Sequence, residues 1–528
     1  MNKSNIYFPL YISLAVAVGI LLGSYLNYPK KNTALFIKNP QEAKIKRLID
    51  YIQYDYVDKV NTDSLLDGTI RQILGKLDPH SVYIPASEHD EIAEKMNGEF
   101  VGVGVQFRMY KDSLTVLKVV ENGPSEKAGL KAGDRILIAN NDTLYGKNLD
   151  SDYIMKTLKG EQNTEVALKV YRKSEDKLLD FTLKRDHVPI KSVVGYYMIN
   201  DSLGYIKMDK FASTTYDEFK EALKDLQKQN MKRLVLDLRD NPGGYMNIAT
   251  EIADEFLEDG KQIVFTKNKG GKIERTYATR KGSFEEGQVY VLIDEVSASA
   301  SEIIAGALQD NDKGTIVGRR SFGKGLVQQE MSLGDGSAVR LTVSRYYTPT
   351  GRSIQKPYES GNEYSYYNDR IIRFHNGELT NADSIKVNDS LKYVTPKGKV
   401  VYGGGGIVPD VFVGIDTTVY VNGAHYGRMR DFTFDYVDDN RDEMQKITFE
   451  EFQRSFDRNG AITKKYISMI EEEYNIEVTN KTFIQQYLKA LFAQLLFDDN
   501  RFYRVLNEND EMLKKINELE RHRIAIKP

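Results

Sequence analysis

The chain has 528 residues, 41% hydrophobic and 28% charged, with 73 Lys and Arg against 76 Asp and Glu for a net charge of −3. This composition excludes a disordered or collagen-like chain and leaves no charge excess to draw it to nucleic acid. Cysteine is absent, which excludes disulfides, thiolate metal sites and a cysteine nucleophile, and the six scattered His argue against a multi-histidine metal enzyme, so no metal or cofactor is expected.

At roughly 100–200 residues per domain, the length allows three or four domains. The stretch from Asn5 to Tyr28 carries no charge, and Ile6 to Leu26 is long enough to cross a bilayer. With no clear small-x-small cleavage site, 1–30 reads as a membrane anchor; a cleaved signal peptide and a buried core helix are the alternatives. Lys3 before the run and Lys30 and Lys31 after it leave the orientation unfixed. The expected location is the cell envelope, on the exported, periplasmic side of the inner membrane, with this segment as the anchor.

Residues 31–95 read as helical. Ile45, Leu48, Ile49 and Ile52 fall on one face at helical spacing, before Leu77-Asp-Pro-His-Ser breaks the pattern. Residues 96–190 form a small β-rich module with strands near 100–107, 113–120, 165–171 and 178–183 and short helices near 125 and 152–158. Residues 191–415 alternate strands and helices. Arg233 to Arg239 leads through Asp-Asn-Pro-Gly-Gly244 into a helix, and Gln288 to Asp294 leads through Glu-Val-Ser-Ala-Ser-Ala-Ser-Glu302 into another, which predicts an α/β layer with a mixed sheet and flanking helices. Within it, 357–398 is polar and Tyr/Asn-rich and reads as a surface excursion. Residues 416–528 read as helices; Phe483, Tyr487, Leu488, Leu491, Phe492 and Leu495 make an apolar stripe of core type.

Two segments stand where chemistry is possible. Ser297-Ala-Ser-Ala-Ser301-Glu302 sits where a strand ends and a helix begins, so a serine there is exposed at the sheet edge beside free helix N–H groups; the plain alternative is an N-cap with Glu302 completing a capping box. A serine nucleophile needs a base, and Lys324, in Ser321-Phe-Gly-Lys-Gly325, serves if burial keeps it neutral. Gly318 to Lys324 also matches a phosphate-binding loop, but Gly325 stands where Ser or Thr belongs and a strand follows instead of a helix. Asp438, Asn440 and Asp442 lack the glycine of a calcium loop and read as an acidic turn. Gly243 and Gly244 at a strand's carboxyl end let backbone N–H groups face a ligand, or merely turn the chain.

Asp237-Leu-Arg-x-Asn-Pro-Gly-Gly244, Ser297 to Glu302, Phe322-Gly-Lys-Gly325 with Gln328, and Gly351-Arg-Ser-Ile-Gln355 occur in this order. Together they resemble the carboxyl-terminal processing, tail-specific serine proteases, whose Ser–Lys dyad works without a cofactor. The module at 96–190 resembles their PDZ domain through Ala128-Gly-Leu-x-x-Gly-Asp134. The resemblance covers roughly 35–415. It implies Ser299 as nucleophile, Lys324 as general base, Gln328 as the group orienting the amine, and Gly243 and Ala300 as oxyanion donors. An aspartate described in the charge relay of some members would match Asp310, although a carboxylate beside Lys324 would hold it protonated. In the PDZ-like module, the backbone at Val103, Gly104 and Val105 would bind a substrate's terminal carboxylate by strand addition, and Ile154, Met155 and Leu158 would shape the side-chain pocket or pack the core. The resemblance implies proteins or peptides with free C-termini as partners; the N-terminal segment adds the membrane, and the amphipathic N- and C-terminal helices allow either self-association into a homo-oligomer or packing within one chain. The competing function is a membrane-tethered PDZ scaffold whose hydrolase core is inactive or partner-activated.

Overall fold

The computed structural model describes residues 12–16, 18, 40–146, 149–359, 363–417, 423–474 and 477–526. The candidate anchor at 6–26 therefore lies outside the described residues except for 12–16 and 18; among those described, no helix is long and apolar enough to cross a membrane. The chain forms two compact units, 1–73 and 74–528. The first holds the helix Pro40–Tyr54 and most of the helix Thr62–Gly75. The apolar stripe read from the sequence lies on the first of these, where Ile45 and Leu48 remain exposed.

In the second unit the strand Val82–Ile84 and the helix Ala86–Asn97 precede the PDZ-like module. β1 (Val105–Tyr110), β2 (Ser113–Val119), β3 (Arg135–Ala139), β4 (Glu165–Arg172) and β5 (Lys177–Lys184) form an antiparallel sheet in that order. β4 alternates Val166, Leu168 and Val170 into the core, the period-2 pattern of a half-buried strand. β1 is an edge strand paired only with β2, so its outer edge is open. The helix α1 (Ser151–Leu158) is started by Asp150, whose carboxylate accepts the Asp152 N–H, and buries Ile154 and Leu158 in the module's core.

The catalytic-core candidate is a six-stranded sheet. β6 (Val193–Met198) pairs antiparallel with β7 (Leu203–Met208); β8 (Arg233–Asp237), β9 (Gln288–Ile293), β10 (Gly314–Gly318) and β11 (Val411–Phe412) follow in parallel. Its strands are continuous apolar runs because both faces are covered. Ile206, Leu236 and Val291 face the helices α2 (Thr215–Lys228), α3 (Met246–Asp254) and α4 (Ala300–Asp310). Tyr205, Val235 and Leu292 face the opposite way.

A second sheet is centred on the strand Ala338–Tyr347, which pairs with Val82–Ile84, Gln262–Asn268 and Leu326–Ser332. The strand Leu326–Ser332 that follows Lys324 belongs to it, and Thr342 of its central strand bonds Ser81 and Asp78. The excursion after Pro357 contains α5 (Glu363–Tyr367) and α6 (Asp369–His375).

The C-terminal helices α7 (Gly423–Asp439), α8 (Lys481–Leu496), α9 (Asp499–Leu506) and α10 (Glu511–Ile526) do two jobs. α8 buries Tyr487, Leu488 and Leu491 in one apolar cluster of the region's own and Phe492 in a second. α10 inserts Met512, Leu513 and Ile516 against the free face of the parallel sheet, so the last helix completes the core layer that a boundary near 415 would cut away. The acidic side of α7 meets the basic side of the PDZ-like module: Arg135 donates to Asp438 at 2.9 Å, Lys173 to Asp439 at 2.8 Å, and Arg108 to Asp431. The Phe434 ring stands edge-on to Tyr110 at 5.3 Å.

Ile516 has no exposed surface. Ile516→Ala should therefore lower the stability of the core transition by about 2–5 kcal/mol in urea denaturation; a loss below about 1 kcal/mol would show that α10 is not part of the core layer.

Candidate active site

Three serines stand at the elbow between β9 and α4, and their surroundings separate them. Ser297 is fully buried; its hydroxyl donates to the Leu238 carbonyl at 2.8 Å and accepts the Asp294 N–H at 3.0 Å. Ser301 is also buried and donates to the Asn241 carbonyl at 3.0 Å. Both hydroxyls are tied into the fold. Ser299 alone is half-exposed, and its backbone sits at φ 56°, ψ −111°. A non-glycine residue there costs on the order of 1–3 kcal/mol, strain of the kind a sharp strand-to-helix elbow imposes to present its side chain.

Glu302, one turn into α4, is fully buried and gathers the site. Its Oε2 accepts the Ser299 N–H at 2.9 Å and the Lys324 N–H at 2.8 Å. Those two nitrogens share one oxygen atom, so they lie no more than 5.7 Å apart, the two bonds laid end to end. Its Oε1 accepts the Ser321 hydroxyl at 2.5 Å and the Gly323 N–H at 2.7 Å. Burial pushes this carboxyl upward, and the Ser321, Lys324, Ser299 and Gly323 hydrogen bonds hold it down. The sequence marked Glu302 only as a capping-box residue; the separation of 22 positions from Lys324 gave no signal of the second half of its role.

The Lys324 amine donates to Gln328 Oε1 at 3.0 Å, and the Gln328 Nε2 donates to the His80 carbonyl. Burial pulls the amine below the ordinary lysine range. Arg340 acts in the same direction, while the Glu302 and Asp78 carboxylates oppose it. No hydrogen bond joins Ser299 Oγ to Lys324 Nζ in this structure. Such contacts are often loose before substrate arrives.

Gly243 lies directly against the elbow. A Cβ there would come within 2.8 Å of the Ser299 Cβ and 3.0 Å of the Ala300 nitrogen, at a backbone φ of +103°. Only glycine permits this approach. Its N–H is donated to Asn241 Oδ1 at 2.9 Å, whereas the Ala300 N–H has no acceptor among the described residues. Of the two expected oxyanion donors, then, one is free and one is engaged by its own turn.

Asp310 is not part of this cluster. It ends α4, ten residues beyond the start at Ala300 and about 15 Å along the axis. Its Oδ1 accepts Arg352 Nη2 at 2.7 Å and its Oδ2 accepts the Thr350 hydroxyl at 2.6 Å, both ion-pair partners being wholly buried. The charge-relay assignment is therefore corrected: Asp310 anchors the Gly351–Gln355 segment, because a helix puts its two ends too far apart to serve one amine. The phosphate-loop reading also fails, since Lys324 is followed by the strand Leu326–Ser332 and its N–H faces a carboxylate, which would repel phosphate. Asp438 of the acidic turn is engaged by Arg135 and Lys173.

In the PDZ-like module, the Val103 and Gly104 carbonyls accept the Ser125 and Val120 N–H groups at 3.0 Å each, while the Val103 and Gly104 N–H groups have no acceptor among the described residues. Val103 and Val105 are buried, and Gly104 turns at φ +77°. Ile154 and Leu158 belong to the module's core, which leaves Met155 as the partly open member of the three.

The comparisons with known proteins fall on the same segments. Residues 202–361 match the model of peptidase family S41, residues 101–183 a PDZ domain, and residues 420–498 a family of unknown function, DUF8443. A carboxy-terminal-processing protease of Bartonella bacilliformis is 33% identical over 359 residues, 67% of this chain and 81% of the relative. The carboxy-terminal processing protease CtpB of Bacillus subtilis is 34% identical over 318 residues, 59% of this chain and 65% of the relative, so the chain spans just under two thirds of that protein. The solved photosystem II D1 C-terminal processing protease is 25% identical, over 70% of this chain and 86% of its own, with a TM-score of 0.36. The chain belongs to the carboxy-terminal processing proteases, the PDZ-bearing serine peptidases of family S41.

Proposed function

We propose that the protein is an endopeptidase that takes hold of proteins by their free C-termini and cuts them through an acyl-enzyme formed on Ser299. The observation that carries this reading is the single buried carboxylate of Glu302, which pins the backbones of Ser299 and Lys324 within 5.7 Å of each other. Desolvated Lys324, held by Gln328, accepts the Ser299 proton as the hydroxyl oxygen attacks the scissile carbonyl. The Ala300 N–H stabilises the developing oxyanion; the Gly243 N–H joins it when it exchanges Asn241 Oδ1 for that oxygen. Protonated Lys324 then gives its proton to the leaving amine; neutral again, Lys324 takes a proton from the water that attacks the acyl carbonyl and returns it to Ser299 Oγ as the acyl group leaves.

Capture falls to the PDZ domain. The open edge of β1 accepts an extended peptide as an added strand, and the unengaged N–H groups of Val103 and Gly104 receive its terminal carboxylate. Met155 lines the side-chain pocket. The uncharged run from Asn5 to Tyr28 supports membrane anchoring; the exported side and envelope-protein substrates are part of the proposal.

A second reading, a hydrolase core switched on only by a partner or by substrate, is favoured by the engaged Gly243 N–H. Proteolysis of an unfolded, casein-type substrate by the purified chain alone separates the two: steady turnover supports the enzyme, and peptide binding without cleavage supports the scaffold.

Ser299→Ala and Lys324→Ala should each lower turnover on the order of a thousandfold or more with circular dichroism unchanged. Lys324→Arg should be equally inactive, because guanidinium does not deprotonate near neutral pH. Glu302→Gln keeps the volume but turns an amide against N–H donors, and should lower kcat about 10- to 100-fold. The base must be uncharged to act. kcat/KM should consequently rise with pH through the titration of Lys324 and fall as that amine is protonated on the acid side, with the midpoint below the ordinary lysine range. A flat profile would remove Lys324 from the role of base.

A further inference from the structure

The polar excursion after Pro357, which the family resemblance leaves unexplained, is docked on the turn that carries Lys324. That turn exposes successive carbonyls to the interior, and buried carbonyls require donors. Arg373 of α6, itself buried, supplies them: Nη1 donates to the Arg320 and Ser321 carbonyls at 3.0 and 2.9 Å, and Nη2 to the Phe322 carbonyl at 3.3 Å. Glu378 then accepts both ends of the Arg320 guanidinium at 2.7 Å.

A second set of contacts reaches the base from the other side. The Tyr366 hydroxyl of α5 lies 2.8 Å from His80 Nε2 and accepts Gln355 Nε2 at 3.1 Å, while the Tyr367 hydroxyl donates to the Pro79 carbonyl. The turn they grip is pinned underneath by Asp78, whose Oδ1 accepts the His80 N–H at 2.9 Å and the Thr342 hydroxyl at 3.1 Å. The His80 carbonyl is the acceptor for Gln328, and Gln328 is the acceptor for Lys324 Nζ. Burial and the nearby Lys324 lower His80 to about 3, so the ring is neutral and acts as a hydrogen-bonding spacer rather than a charge.

We propose that the excursion is the positioning element of the catalytic base: Arg373 fixes the turn around Lys324, and Tyr366, acting through His80 and Gln328, fixes the direction of its amine. The inference rests on the Ser–Lys reading above. Tyr366 and Arg373 are positioning residues, since neither touches the amine. The excursion is not built into the parallel sheet, so its docking is a separate constraint that decides how much of the enzyme has an aligned base.

The test compares the full chain with its Tyr366→Phe and Tyr366→Ala variants, with turnover of an unfolded substrate counted per Ser299 labelled by a fluorophosphonate. Tyr366→Phe keeps the ring packed against Phe322 and removes only the hydroxyl. It should lower kcat about three- to tenfold with KM unchanged and the acid limb of the pH profile in place. Tyr366→Ala also admits water to Lys324. The amine then moves back towards the ordinary lysine range, and the acid limb of kcat/KM shifts to higher pH. The charged groups facing that amine, Glu302, Asp78 and Arg340, and the neutral His80 are retained in both variants, so the shift reports solvation.

A purely structural role would lower the labelled fraction and leave kcat per labelled site and the limb untouched; that result overturns the proposal, as does wild-type behaviour of both variants. Lys324→Ala, run in parallel, separates the two levels. If it still cleaves, the Ser–Lys reading fails; if it is dead while the Tyr366 variants match wild type, only the positioning role of the excursion fails.

Discussion

One buried carboxylate holds this site together. Glu302 accepts four donors with two oxygens, one from the strained elbow at Ser299 and three from the turn that carries Lys324. A carboxylate without solvent is costly unless its lone pairs are filled. Here they are filled by groups that would themselves be orphaned at the helix start and in a glycine turn. The same arrangement that neutralises the burial cost fixes the relative position of the Ser299 and Lys324 backbones. The negative charge also explains why the lysine needs further desolvation: Glu302 favours the protonated amine, and burial together with Arg340 must outweigh it.

Around that centre, three layers of support are added by segments distant in the chain. The parallel sheet is closed on one face by α2 to α4 and on the other by α10, so the C-terminal region stabilises the fold that presents Ser299. α7 lays acidic side chains against Arg108, Arg135 and Lys173 of the PDZ domain. Arg135 and Asp438 are nearly buried, which makes this pair geometry-dependent rather than a loose surface contact. α7, within the region that matches a family of unknown function, thereby meets the PDZ domain, while α10, beyond that region, meets the protease sheet. The excursion braces the Lys324 turn in the same manner, Arg373 donating to carbonyls that the turn cannot satisfy itself.

Much of this was legible in the residues. The apolar runs Leu234–Leu236 and Val289–Ile293 announce strands covered on both sides, and the serine-rich start of α4 and the glycines around Lys324 mark loops that present groups. Ser299 was separable from Ser297 and Ser301 by resemblance, and the structure supplies the physical reason: the other two hydroxyls are consumed by Leu238 and Asn241. What was illegible is long-range. Nothing local says that Tyr366 faces His80 across 286 positions, or that Glu302 reaches forward to Gly323 and Lys324. Asp310 misled because sequence proximity to Ser299 hides the length of an intervening helix. For Gly243, the conformation and close approach agree with the sequence reading, while the engagement of its N–H by Asn241 Oδ1 within the turn was not legible.

The central claim is that an uncharged Lys324 activates Ser299. The rate at which a fluorophosphonate modifies Ser299, followed by intact-protein mass spectrometry across pH, measures that activation without substrate binding or product release. The account predicts a rate that rises with pH through a single titration below the ordinary lysine range and is lost in Lys324→Ala. A pH-independent rate, or one that survives removal of Lys324, would contradict it.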